Sequence, residues 1–159
     1  MRSRISLSTA DRFNKVRTTV LAFIMSIIIL LIFYDSLYIG GGLLIFFALM
    51  YVYVYGNLPT RFLISDDRIV LDAPFKKRII RLDDIIAVRL LENEDIKGLV
   101  RAWGSSGIFG EWGYYYSSRI GSVKVYARRS KNWILITTSK NGKYIIAPDD
   151  PEFINYIKE

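Results

Sequence analysis

Two long stretches without charge constrain this chain more than anything else in it. From Thr18 to Tyr34 no residue is charged, and Val20 to Phe33 is apolar on every face of a helix. A helix at a protein surface shows an apolar stripe, so one that is apolar all round needs lipid or a large core around it. The remaining residues cannot build a core of that size. A second uncharged run extends from Ser36 to Thr60, with its most apolar part at Ile39–Tyr55. At roughly 1.5 Å per residue, each run can cross a hydrocarbon layer of about 30 Å if its ends extend a little. The sequence therefore predicts a transmembrane hairpin over 18–56, with helices at about 18–35 and 38–56. Asp35 is expected to cap the second helix. Gly40-Gly41-Gly42 reads as turn chemistry, or as a point where the helices approach closely.

Charge sets the expected orientation. Residues 1–17 hold Arg2, Arg4, Arg12, Lys15 and Arg17 against Asp11, whereas the tip between the runs holds only Asp35. Basic flanks stay in the cytoplasm, so residues 1–17 read as a basic cytoplasmic tail and both termini as cytoplasmic, in a two-pass protein of the cell membrane. Tyr34 and Tyr38 at one end, and Tyr51, Tyr53 and Tyr55 at the other, suit interfacial belts. A cleaved signal peptide is the rival reading. No small-x-small cleavage pattern follows the first run, and a second spanning run comes at once.

Beyond Gly56-Asn57-Leu58-Pro59 the texture changes, and residues 57–159 read as a β domain. Arg61–Ser65 and Arg68–Asp72 form a hairpin around Asp66-Asp67, and further strands are expected at Arg78–Leu82, Ile85–Leu91, Gly121–Arg128, Asn132–Thr138 and Tyr144–Ala147. Asn141-Gly142 supplies the last hairpin turn. Asp149 or Asp150 caps a short terminal helix, with Pro151 at its first position and Phe153, Ile154 and Ile157 on its apolar side. About seven strands and one helix suit a mostly antiparallel sandwich or partly open barrel.

Residues 98–121 are less regular. Gly104, Gly107, Gly110 and Gly113 recur every third position among Trp103, Phe109, Trp112, Tyr114, Tyr115 and Tyr116. There are too few repeats for collagen, and no Gly-Lys-Ser/Thr for a phosphate loop. Either the aromatics cover the sheet, or they form a contact surface for a protein partner or the membrane interface.

The chain has no His and no Cys. It therefore lacks an imidazole base, a thiolate nucleophile, a disulfide and a conventional zinc site. Asp66-Asp67, Asp83-Asp84 and Asp149-Asp150 are acidic pairs at turns or helix starts, where Asp serves backbone hydrogen bonding. No catalytic residue, metal or cofactor is expected. The net charge of +7 divides between the tail and residues 57–159, which carry 17 basic and 13 acidic residues. Much of it is thus a topology signal, and no nucleic-acid role or small-molecule substrate is expected.

The pattern Phe62-Leu63-Ile64-Ser65-Asp66-Asp67-Arg68-Ile69-Val70, Arg78-Ile79-Ile80-Arg81-Leu82-Asp83-Asp84-Ile85, Gly107–Gly113, Val125-Tyr126-Ala127 and Lys143–Ile154 resembles the prokaryotic pleckstrin-homology-like (PH-like) domain proteins over nearly all of residues 61–157. Ala147 stands where such domains often carry Ser before the Pro. The resemblance implies a partly open barrel of two near-orthogonal antiparallel sheets, capped by the C-terminal helix, and no known enzymatic role. By analogy with eukaryotic PH domains, the basic turn Lys76, Lys77 and Arg78, with Arg81, becomes a candidate contact for anionic lipid headgroups. Arg128, Arg129 and Lys131 form a second basic turn. The expected role is a membrane-anchored, non-catalytic protein-binding or scaffolding module, with lipid-headgroup sensing as the alternative. Besides the bilayer, the expected partner is another protein or a second copy of the chain.

Overall fold

The computed structural model describes residues 4–140 and 142–158. Two helices come early in the chain, α1 (Arg12–Asp35) and α2 (Leu37–Asn57), joined through Ser36. Both are long and apolar enough to cross a membrane, and most of their surface is exposed. Ser36, not Asp35, sits at the N-cap of α2 and makes no side-chain cap bond; Asp35 is the last residue of α1. The three glycines differ. A Cβ on Gly40 would lie 2.6 Å from the Cα of Phe33, whereas Gly42 faces open space. Gly40 therefore marks the close approach of α1 and α2, and α2 continues through all three.

Ten strands follow or precede the hairpin among the described residues, in two sheets. The first contains β1 (Arg4–Leu7), β2 (Arg61–Ser65), β3 (Arg68–Asp72) and β4 (Lys77–Arg81) in sequential antiparallel order. The second contains β5 (Ile85–Leu90), β6 (Val100–Ser106), β7 (Glu111–Ser117), β8 (Gly121–Ala127), β9 (Ile134–Thr138) and β10 (Lys143–Ile146), in the order β5-β9-β10-β8-β7-β6. The sheets do not close into a barrel. One pairing is parallel, β8 with β10, because the β9–β10 hairpin inserts its second strand beside β8. Asn141 of the expected Asn-Gly turn lies outside the described residues, while Thr138 donates its N–H to the Gly142 carbonyl across that turn. A short α3 (Asn93–Lys97) and a terminal α4 (Phe153–Lys158) complete the chain.

Alternation places the core. Phe62 and Ile64 of β2 and Ile69 and Leu71 of β3 point inward, against Trp112, Tyr126, Ile134, Ile136 and Ile146 of the second sheet. Phe153 and Ile157 of α4 fill the same layer, and the Phe62 and Phe153 rings lie 6.2 Å apart. The opposite face of the second sheet buries Tyr115, Val123, Val125, Leu135 and Ile145 beneath Ile96 and Leu99. The inner strands β8, β9 and β10 are thus largely buried on both sides, as a sheet covered on two faces requires, while the outer strands β5 and β6 stay mostly exposed.

The N-terminal segment is part of the domain. β1 pairs with β2 along its whole length, Asp149 donates its N–H to the Leu7 carbonyl, and Thr9 donates its N–H and hydroxyl to the Asp149 carboxylate. The chain therefore enters the first sheet, runs out and back along the helical hairpin, and returns to the same sheet.

The threefold glycine period is a hairpin seen edge-on. In the β6–β7 register Gly104 faces Gly113, and the Gly107 N–H bonds to the Gly110 carbonyl at the tip, so the four glycines fall symmetrically about the turn. Gly104 and Gly113 both have positive φ, and a Cβ on either would lie about 2 Å from a carbonyl oxygen of the facing strand. Only glycine fits that approach.

Candidate functional site

The base of the helical hairpin, opposite its tight turn, docks on the second sheet through side chains of both helices. Asp11 caps α1: its carboxylate accepts the Asn14 N–H at 2.9 Å, together with the N–H and hydroxyl of Ser130. Burial works against its charge, but these bonds and the nearby Arg129 guanidinium outweigh it and hold the carboxyl below the usual carboxylate range. Asn14, 2% exposed, donates its side-chain amide to the Arg128 carbonyl. One turn on, Arg17 pairs with Glu111 at 3.2 Å and donates to the Ser106 hydroxyl. Thr18 reaches the hairpin tip itself: its hydroxyl oxygen accepts the Phe109 N–H at 2.9 Å and lies 2.7 Å from the Asn14 carbonyl.

The second helix meets the same hairpin with aromatics. The Phe109 ring stands edge-on to Tyr51 and Tyr55, with centroids 5.8 and 5.4 Å apart, and Trp112 stands edge-on to Tyr53 at 5.7 Å. Such pairs contribute about 0.5–1.5 kcal/mol each beyond area burial. The last turn of α2 is clasped by the β3–β4 turn. Phe75 donates its N–H to the Gly56 carbonyl at 2.8 Å, and Arg78 donates to both oxygens of Asn57 while lying over the Tyr126 ring.

These contacts divide the expected binding residues. Phe109 and Trp112 are used internally against α2. Tyr115 faces the second core: its hydroxyl donates to Glu111 at 2.6 Å, and burial pushes its pKa up. Trp103, Tyr114 and Tyr116 point outward and stay exposed, Trp103 at 68%. Trp103 faces Tyr114, Tyr114 faces Lys124 and Lys124 faces Tyr144, so one row crosses four strands, with the Lys124 ammonium 5.5 Å from each tyrosine ring. In the basic turn Lys76, Lys77 and Arg81 are exposed, whereas Arg78 is committed to Asn57. Arg128, only 8% exposed, lies beneath the Tyr55 ring with its Nε and Nη2 unpartnered among the described residues; burial lowers its pKa.

The acidic pairs are dispersed. Asp67 pairs with Arg68, Asp84 accepts from Ser139, and Asp150 accepts the Glu152 N–H. No group of three acidic, His or Cys residues able to hold a metal occurs among the described residues.

A family model for the bacterial PH domain matches residues 60–158. The chain belongs to the bacterial PH domain family. No curated protein and no solved structure matches it. The two sheets and terminal helix are those of a PH-like fold, a module that is generally non-catalytic. In this bacterial PH domain the family match begins after the helical hairpin, yet β1 and the α1 cap precede the hairpin and complete the first sheet and the junction. Sequence reading missed Asp11, Asn14, Arg17 and Thr18 as junction residues. Only the Asp11 cap before a long helix gave a local signal for any of them.

Proposed function

We propose that this chain is a membrane-anchored, non-catalytic interaction module. The helical hairpin spans the bilayer with both termini cytoplasmic, and the β domain, held against its base, binds an extended segment of a protein partner or of a second copy. The outer strand β6 carries the reading. It is seven residues long, forms a free edge of the six-stranded sheet, and exposes Val100 and Trp103 opposite Tyr116 and Tyr114. Natural edge strands are usually blunted by charge, proline, bulges or short length; β6 has Arg101 and one bulge, and its exposed Val100 and Trp103 still offer an apolar template for strand addition. Main-chain pairing supplies affinity in that mode, and the aromatic row supplies side-chain contacts.

The test is site-specific photocrosslinking from Val100 in the full chain, in its native membrane. A discrete protein adduct is expected, and Tyr116→Lys should abolish it while leaving thermal stability unchanged. A Val100 probe that yields no adduct, or an adduct insensitive to Tyr116→Lys, overturns edge binding.

Contact with an anionic lipid surface is the second reading, supported by the tie between Phe75 and Gly56. That bond sets exposed Phe75, Lys76 and Lys77 beside the last turn of α2. Each cation near such a surface contributes about 1 kcal/mol. Anionic lipid should therefore stabilise the full chain in detergent, and Lys76→Ser with Lys77→Ser should halve that gain or more. Equal stabilisation of both proteins refutes this role for the turn.

A further inference from the structure

A groove of about 280 Å³ runs between α2 and the β6–β7 hairpin. Met50, Tyr53 and Val54, at helical positions i, i+3 and i+4, form one wall, and Trp103, Ile108 and Trp112 line the other. Arg101 also borders it, is exposed and forms no ion pair among the described residues, although it lies across from Tyr115 and lines a neighbouring cavity with Glu111. The groove is thus mostly apolar, with one exposed cation at its margin.

Helix length fixes its depth. On α2, the domain reaches up to Met50, and Leu37 to Met50 rises only about 20 Å. On α1, the domain reaches Thr18, and Thr18 to Asp35 rises about 26 Å. Both free lengths fall short of a hydrocarbon core of about 30 Å. If the hairpin spans the bilayer, as proposed above, the acyl layer must therefore extend down past Met50 toward the groove, or thin to meet it. Trp103 and Tyr53 are the residue types favoured at that boundary.

We propose that this groove seats one anionic glycerophospholipid, with an acyl chain against Met50, Val54 and Ile108, Trp103 at the glycerol level and Arg101 on the phosphate headgroup. This inference rests on the membrane-spanning reading and is separate from the Lys76–Lys77 turn, which meets α2 at Gly56 through Phe75 and lines no part of the groove.

The experiment uses the full chain in nanodiscs of phosphatidylcholine, in which a minor fraction of lipid carries brominated acyl chains under either a phosphatidylglycerol or a phosphatidylcholine headgroup. Tryptophan quenching is read for the native protein and for Trp103→Phe, whose difference isolates the exposed Trp103. Quenching of Trp103 is expected from both lipids, with a roughly fivefold preference for the anionic one, the strength of a single cation near an anionic group. Arg101→Gln should remove the preference and keep the quenching; Lys76→Ser with Lys77→Ser should keep both. Equal quenching by the two lipids, or a preference that survives Arg101→Gln, overturns the lipid seat and leaves the anchor intact. Absence of quenching by either lipid overturns the seat and the bilayer placement of the α2 base together.

Discussion

Thr18→Val tests how the domain is fixed to its helices. The substitution keeps the shape and β-branching of the side chain and removes one oxygen. That oxygen accepts the Phe109 N–H at 2.9 Å and lies 3.2 Å from the Gly107 carbonyl, so it ties α1 to the tip of the β6–β7 hairpin beside the Arg17 bonds to Ser106 and Glu111. Valine leaves the Phe109 donor without a partner. A donor orphaned in a packed site costs about 1–3 kcal/mol. Taking about 2 kcal/mol, the tip should open roughly 30-fold more often. Thr18→Ser retains the oxygen and loses one methyl group, about 0.8 kcal/mol, or roughly fourfold. Hydrogen exchange measured by mass spectrometry on the full chain in detergent reads this directly. Peptides covering Gly107–Gly110 should exchange in the order Val, Ser, native, while peptides in β9, buried between β5 and β10, should not change. If Thr18→Val exchanges within about twofold of the native chain, or no faster than Thr18→Ser, the hydroxyl does not hold the tip.

Two further outcomes follow from the same contacts. Asp11 has its carboxyl held below the ordinary 3.8, so its contribution is complete above that pH and is lost as pH falls through the lower folded value. The melting temperature of the native chain should therefore drop more steeply than that of Asp11→Asn below pH 3.8, the two curves converging in acid; parallel curves would show that the carboxylate charge is idle. In the helical hairpin, Gly40→Ala forces a Cβ to 2.6 Å from the Phe33 backbone and should cost about 1–3 kcal/mol, whereas Gly42→Ala meets nothing and should match or exceed native stability. Equal melting of the two alanine variants in detergent would rule out close packing at Gly40.

Local pattern made some elements legible and hid others. β2, β3 and β4 announce themselves as short apolar runs, Phe62-Leu63-Ile64, Ile69-Val70-Leu71 and Ile79-Ile80, set off by Asp66-Asp67 and a basic turn. β1 has only four residues, two of them Arg4 and Ser6, and its partner β2 comes more than fifty residues later, after both helices. Nothing within a short window can reveal a strand whose stability is wholly non-local. β6 and β7 were obscured differently. Glycine at 104 and 113 lowers strand propensity at each position taken singly, and becomes favourable only once the two face each other across the pair.

The site was legible as a segment and illegible as a division of labour. Alternation along β7 sends Trp112, Tyr114 and Tyr116 to one face and Tyr115 to the other, but does not tell that α2 and the main core cover Trp112 while Tyr114 and Tyr116 stay exposed. The basic residues carry the same lesson. Arg17 and Arg78 contribute to the charge balance expected to fix orientation and attract lipid, yet Glu111 and Ser106 hold one and Asn57 the other. Lys76, Lys77 and Arg101 remain exposed, the two lysines beside the end of α2, Lys77 with Asp72 3.7 Å away, and Arg101 on the groove that α2 helps to line. A charge count weighs all five residues equally. Packing at the hairpin base separates those that join the domain to its helices from those left to meet whatever lies outside. The two arginines at the hairpin base each hold two oxygens, Arg17 those of Glu111 and Ser106 and Arg78 the backbone and side-chain oxygens of Asn57, whereas Lys77 makes only a longer pair with Asp72 at 3.7 Å and Arg101 forms no ion pair among the described residues.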